Sequence, residues 1–517
     1  MGKLHINIKP IMAFLFLFLI LHLPKAYAAE KVDTTGHIDV ELADSTAAGD
    51  SVIARVGDKK ITVREFLNSY EFGPSFAKRD KNSKQVYLKY MINEKLLALD
   101  GYAKGFADSS RVKEFLSAIK GDLATEQLFR KDILPHVKVT GKEISKAVEE
   151  KGTSYNIEWL YAPSEDSLKF YAERLSKGVS FDSLFDLQLS DSTFKDERSM
   201  NMDKFKLRTK SPIVALVIDS LKVGQVSKAV KAPDGYYIFK LVDEWKNVIT
   251  TETERNKEAY DAEMVLKQGK MDMLSDRYVK KMMTDHKPVI QARGFDITRS
   301  YMGSYTLPDK TYKEWKLDKR LDKEKAHYDT LGIKDIGSVP LVKLTTATLT
   351  IDDFINWYKM RDEYLKFNKG SFNGYSASLE NMIWQMVRDH LLIKRAYNRG
   401  FQNIPKVKEQ IGWWKDKIVY AVVRDDIANS IGLNVELPSV NKKENDSKRQ
   451  ELIQKIFRKL QQLKKNYNVV INENLLKSVE VKTSDNPRAV DFYIVKKGET
   501  FPHPAYPSID RSWENWQ

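Results

Sequence analysis

The chain has no cysteine. That excludes a disulfide framework, a thiolate metal site and a lipid attached through cysteine at a cleavage point. Its eight histidines are scattered, and none stands in HExxH or another ligand spacing, so no metal centre and no cofactor are expected. GxSxG, GxGxxG and the Walker loop are absent as well. Beyond the N-terminal segment no stretch approaches about 18 uninterrupted apolar residues, which removes the case for further membrane spans. The net charge of +14 is not gathered into one basic arm. It favours acidic or membrane-surface partners through long-range steering and argues against a nucleic-acid partner.

At 517 residues the chain is too long for one core, and a prior of roughly 150 residues per domain predicts about three units. Hydrophobic residues at 42% supply material for those cores, while 30% charged residues keep the surface solvated. Residues 1–28 read as a secretory signal: basic Lys3 and Lys9, an apolar run Ile11 to Leu23, then Pro24 and the small-residue site Ala26-Tyr27-Ala28. The run is too short to cross a hydrocarbon core of about 30 Å as a helix. An uncleaved anchor is the alternative. A cleaved chain would be exported to the periplasm. Residues 29–50 are polar and small and read as a flexible leader.

The fold starts near Ser51. Ile53 to Val56 alternate as a strand, Gly57-Asp58 turns, and Thr62 opens a helix with Glu65 placed to complete a capping box. A long amphipathic helix containing Tyr87, Met91, Leu96, Leu97 and Leu99 follows, stopping around Gly101 to Gly105, and another runs from Val112 to about Ile133.

The chain repeats itself. LTTATLTIDDFINWY matches the opening, with Phe66 on Phe354, Asn68 on Asn356 and Tyr70 on Tyr358. EKLLALDGYAKGF matches DHLLIKRAYNRGF, with Gly105-Phe106 on Gly400-Phe401, and RVKEFLSAIKGDL matches KVKEQIGWWKDKI. The copies also end alike: Arg277 to Ile290 resembles Arg458 to Ile471, a basic helix running into a short strand. In the second copy Leu452, Ile456, Leu460 and Leu463 form one stripe at helical spacing, expected to pack on its own repeat. Only the first copy carries an insert of about a hundred residues; the second has a short linker, Gly432 to Asp446.

The insert, residues 155 to 246, reads as strand, helix, loop, helix and paired strands, with Pro233-Asp234-Gly235 as the hairpin turn. It resembles the parvulin family of peptidyl-prolyl isomerases. The resemblance lies in Gly178-Val179-Ser180-Phe181 with Leu184 and Ser190, in Leu221 to Ser227, and in Gly235 to Leu241. The helical parts around it look like the SurA-like and PrsA-like exported chaperones, in which a parvulin domain is likewise inserted. The resemblance implies a multi-domain α+β fold: two related helical chaperone modules, the first carrying a small α+β parvulin-like domain. Its boundaries are 51–150 for the first module, 151–247 for the parvulin-like domain and 252–293 for the returning helix. A connector spans 294–338, the second module 339–435, its returning helix and strand 446–480, and a tail 481–517.

The same resemblance speaks to the site. Active parvulins place a histidine in the first strand, where this chain has Glu158 or its neighbour Ile157, and another in the last strand, where it has Tyr237. The phenylalanine of the proline pocket falls nearest Val214, and the Gly-Gly-Asp stretch of many members is replaced by SMNMDKF. What is implied is a peptide-binding surface at Glu158, Val214 and Tyr237 with no catalytic residue. The partners implied are unfolded or partly folded exported polypeptides, outer-membrane proteins among them. A working isomerase and an adaptor subunit of an envelope machine are the rival readings.

Overall fold

The computed structural model describes residues 49–79, 81–190, 198–247, 251–331, 335–362, 365–433, 442–481, 501 and 506–515. The signal, nearly all of the leader and most of the tail lie outside them. In chain order the first elements are β1 (Val52–Val56), β2 (Lys59–Thr62), α1 (Val63–Glu71), α2 (Ser83–Ala103) and α3 (Ser110–Leu128). Then come α4 (Gly141–Lys151), β3 (Thr153–Ala162), α5 (Glu165–Ser176), α6 (Phe181–Ser190), β4 (Ser199–Asp203), α7 (Lys204–Lys210), α8 (Pro212–Asp219), β5 (Val230–Ala232), β6 (Gly235–Lys246) and α9 (Glu252–His286). The remainder is β7 (Val289–Ile290), α10 (Ala292–Thr306), α11 (Asp309–Glu314), α12 (Leu317–Thr330), β8 (Pro340–Lys343), β9 (Thr348–Thr350), α13 (Ile351–Lys359), α14 (Phe372–Asn398), α15 (Pro405–Asn429), α16 (Lys442–Asn466), β10 (Val469–Ile471) and α17 (Glu473–Ser478). The chain is mostly helical with small antiparallel sheets, an α+β fold. Among the described residues no helix is long and apolar enough to cross a membrane.

Two compact units form, one of residues 137–272 and one of residues 36–136 with 273–517. The first is wider than the 151–247 read from the sequence. α4 and the start of α9 join it through a small core of Ala147, Phe205 and Ala262. Ion pairs Lys151–Glu258 (2.5 Å) and Lys270–Glu143 (2.7 Å) reinforce the join.

In the second unit the expected caps form with one difference. Thr62 accepts from the Glu65 amide at 3.1 Å, but the Glu65 carboxylate does not return to close the box. It binds the buried ammonium of Lys95 on α2 at 2.6 Å, a charged donor that outcompetes a backbone N–H. At the matching position of the second repeat Asp353 does close the box, accepting from the Thr350 amide at 2.7 Å. Both Gly105 and Gly400 take left-handed conformations (φ +75 and +73) and each opens a short helical turn, at Phe106–Asp108 and Phe401–Asn403.

The closing segments are exchanged relative to the repeat boundaries read from the sequence. β10 pairs antiparallel with β1, Ala54 opposite Ile471 and Val56 opposite Val469, completing the sheet β10-β1-β2. β7 pairs instead with β8, Ile290 opposite Val342, in the sheet β7-β8-β9. The stripe Leu452, Ile456, Leu460 and Leu463 accordingly packs in one core with Ile53, Leu96 and Leu97 of the first repeat as well as with Val419, Tyr420 and Val423 of its own. Only two residues separate α16 from β10, so the stripe must bury where β10 pairs. The third helices cross as well. Gly101 of α2 admits Val419 of α15, and a Cβ there would lie 2.5 Å from its Cγ1. Gly121 of α3 abuts Ile393 of α14, where a Cβ would lie 2.7 Å from Cδ1.

Charge follows the same crossing. Lys95 reaches Asp416 of α15 at 2.7 Å, and Tyr102 and Lys59 hold the other Asp416 oxygen at 2.7 and 3.1 Å. Burial alone would push Lys95 down; Glu65 and Asp416 outweigh it and hold the ammonium above its ordinary value. Lys95→Met leaves the buried Glu65 carboxylate uncompensated and Asp416 with only Lys59 and Tyr102, and should cost about 3–5 kcal/mol, read as a fall in the urea midpoint of this unit. On the α3 side Asp122 meets Arg361 at 2.8 Å. Burial raises the Asp122 carboxyl from 3.8 to about 6 against the pull of Arg361. A folded value above the unfolded one means stability that is full below about pH 4 and lost as pH rises through about 6. Two pKa units correspond to about 3 kcal/mol. Urea midpoints at pH 4 and pH 7 should show that loss in the native chain and its absence in Asp122→Asn.

Candidate functional site

The unit of residues 137–272 is built on the antiparallel sheet β4-β3-β6-β5. Register is fixed along β3 and β6, with Glu158 opposite Lys240, Trp159 opposite Phe239 and Tyr161 opposite Tyr237. Gly235 starts β6 because nothing larger fits: its φ is +152, and a Cβ would sit 2.5 Å from the Ala162 carbonyl oxygen.

Strand parity divides the side chains between two faces. One face carries Tyr155, Ile157, Trp159, Tyr237, Phe239 and Leu241, covered by Leu207 of α7 and by Val214, Ala215 and Ile218 of α8. The other carries Leu160 and Ile238 under Phe181, Leu184 and Phe185 of α6. The three positions expected from sequence therefore separate. Val214 and Tyr237 meet in one cluster, whereas Glu158 lies on the α6 face with Leu160. The neighbour Ile157 shares the Tyr237 face. So does Trp159, which the sequence reading passed over although its parity was available: Glu158 stands between two buried apolar residues and must point the other way.

The polar chemistry of this face centres on the hairpin turn. The Tyr237 hydroxyl donates to Asp234 Oδ2 at 2.7 Å, and the Tyr161 hydroxyl donates to the Asp234 carbonyl at 2.6 Å. The Tyr161 and Tyr237 rings lie 5.2 Å apart, Phe239 stacks on Tyr237 at 6.0 Å, and the Arg198 guanidinium sits 5.1 Å from the Tyr161 ring. Burial, then the Asp234 carboxylate, pushes the Tyr237 phenol well above its ordinary value. It stays protonated at any physiological pH. Residues 137–272 contain no histidine, so no group of the kind that ordinarily titrates between pH 5 and 8 is present. Four buried polar atoms here lack hydrogen-bond partners: Trp159 Nε1, Arg198 Nε, Ser211 Oγ and Asp234 Oδ1. Buried atoms of this kind are costly unless something supplies a partner. Ile213 and Leu216 of α8 point away from the sheet and are exposed, giving an apolar rim. The arrangement can hold an apolar or aromatic group and offer it a few donors. Among the described residues no acidic, histidine or cysteine cluster could hold a metal ion.

Comparison with known proteins gives a partial likeness. No family profile matches the chain. It is 25% identical over 227 residues, 38% of this chain and 74% of the relative, to a protein named Foldase protein PrsA from Caldanaerobacter subterraneus subsp. tengcongensis. Over that stretch the chain resembles this foldase. Solved structures found alongside include PrsA peptidylprolyl isomerase of Bacillus anthracis (16% identity, 37% of this chain, 96% of that one, TM-score 0.20). The foldase PrsA of Streptococcus pneumoniae (17%, 44%, 91%, TM-score 0.22) is a second.

Within the unit of residues 137–272 the Tyr237–Asp234 bond ties the last strand to its turn. Tyr237→Phe removes the donor and leaves a second Asp234 oxygen unsatisfied, a loss of about 1–3 kcal/mol. It should appear as weakened hydrogen-exchange protection at the amides of Tyr236 to Phe239.

Proposed function

We propose that this protein is a periplasmic chaperone that holds unfolded exported polypeptides, outer-membrane proteins among them, and that its parvulin-type domain binds peptide without isomerising it. One observation carries the second part. Where active relatives use two histidines, this face has Tyr237 locked onto Asp234 and the apolar Ile157 and Trp159, in a unit with no histidine at all. Prolyl isomerisation faces a barrier of about 18–20 kcal/mol, and lowering it takes a pocket that favours the twisted amide. A surface of tyrosine, tryptophan and exposed aliphatic groups suits many weak contacts with extended chains instead.

The holding role is supported by the foldase relative and by the two helical repeats, which we take as related modules that complete each other. Export is supported by the N-terminal signal pattern.

Light scattering of a denatured outer-membrane protein, diluted with and without the chain from Ala29 onward, tests the reading. Suppression near stoichiometric amounts is the expected result, together with turnover of a prolyl peptide no faster than uncatalysed. Clear turnover would make the domain an enzyme. No suppression, with a single stoichiometric partner in pulldown, would make the protein an adaptor.

A further inference from the structure

A stretch of the C-terminal tail lies in a trough on the helical unit much as a bound peptide would. Tyr506 to Asp510 form no helix or strand and are held by side-chain pockets and a few main-chain anchors. Tyr506 stacks on Phe72 at 5.2 Å, and Trp513 stacks on Tyr90 of α2 at 5.3 Å. The Ile509 amide donates to the Tyr87 hydroxyl at 3.4 Å. Glu94 of α2 accepts from the Asp510 amide at 2.7 Å and from the Trp513 indole at 2.9 Å. Asp510 in turn accepts from Tyr420 of α15 at 3.2 Å and pairs with Arg424. A single tight turn, Arg511–Asn515, sets Trp513 three residues beyond Asp510.

The fit is incomplete where the polar groups converge. Beside Pro507 and Ser508 a cavity of about 30 Å³ remains, lined by Glu65, Ser69, Glu94, Lys95, Asp416 and Lys417 among others. That is room for a water or two, where an evolved core would be filled. The walls stand without the tail: Lys417 binds both Glu94 oxygens at 2.9 and 2.8 Å, and Glu65, Lys95 and Asp416 bind one another. With the tail removed, Phe72, Tyr87, Tyr90 and Tyr420 would line an open trough with Glu94 and Arg424 fixed in it. An aromatic cleft with a few set polar groups is the usual form of a ligand site.

We propose that this trough is a second peptide-binding site, for polypeptide segments bearing an aspartate followed three residues later by an aromatic, and that the chain's own tail is its resident, replaceable occupant. The site is remote from the question of isomerase activity and does not depend on it. Tethering gives the resident an effective concentration of up to about millimolar, so an outside peptide meets an occupied site.

A protease site placed between residues 482 and 500 of the full chain allows the tail to be cut while still seated. A labelled synthetic peptide of residues 501–517 should then exchange into the cut protein and bind the uncut protein at least tenfold more weakly. The same peptide carrying Asp510→Ala and Trp513→Ala should lose at least tenfold in affinity for the cut protein. Asp510→Ala in the uncut chain, which loosens the resident and leaves the walls intact, should strengthen capture of the unaltered peptide at least tenfold. Failure of exchange in large excess of peptide, unfolding of the unit as the tail leaves, or equal capture by native chain and variant would each overturn the proposal and make the tail part of the core.

Discussion

Lys95 lies between Glu65 and Asp416 with 7% of its side chain exposed, and an ammonium so placed has almost no solvation except what the two carboxylates give it. Such a triad contributes little net stability, because desolvating three charges offsets most of the attraction. What it enforces is pairing: only one seating of α15 on α2 brings Asp416 to Lys95, and the Tyr102 hydroxyl and Lys59 fix the same carboxylate from other directions. Once α15 is held there, Glu94 meets Lys417, Gly101 receives Val419, and the trough that takes the tail has both its walls. The crossing on the α3 side uses a different set, Arg361 pairing with Asp122 of α3 and with Asp389 of α14. The two junctions are chemically distinct, which keeps each helix from docking at the wrong one.

Local signals in the sequence were read well because their physics is local. Thr62 and Thr350 cap helices, glycines at 105 and 400 end them in left-handed turns, and Pro233-Asp234-Gly235 turns a hairpin. The exchange of closing strands was not legible. The segments ending at Ile290 and Ile471 share one pattern, so periodicity shows that each fits a sheet edge and is silent about which copy owns that edge. Glu65 was assigned to a capping box for a related reason: its competitor, Lys95, stands thirty residues away, beyond the reach of a local motif.

At the candidate site the resemblance to parvulins named Glu158, Val214 and Tyr237, of which Glu158 lies on the opposite face of the sheet from the other two. Parity corrects it without any alignment. The aromatic character of the corrected face, with Trp159, Tyr161 and Tyr237 in one patch, changes what the domain can do. The two tyrosines spend their hydroxyl protons on the Asp234 turn, which fixes their rings as flat apolar area on this face.

The pairing of β10 with β1 has a bearing on how the molecule comes into being. Synthesis delivers β1 near the start and β10 near the end, and non-local pairings of this kind close slowly. Until the last helices arrive, the opening sheet has a bare edge and the core around Leu96 and Leu97 lacks its stripe from α16. A chain interrupted before α16 therefore leaves the sheet and core of its opening residues unfinished. The crosswise closure makes α16 and β10 a seal on the sheet that β1 and β2 open.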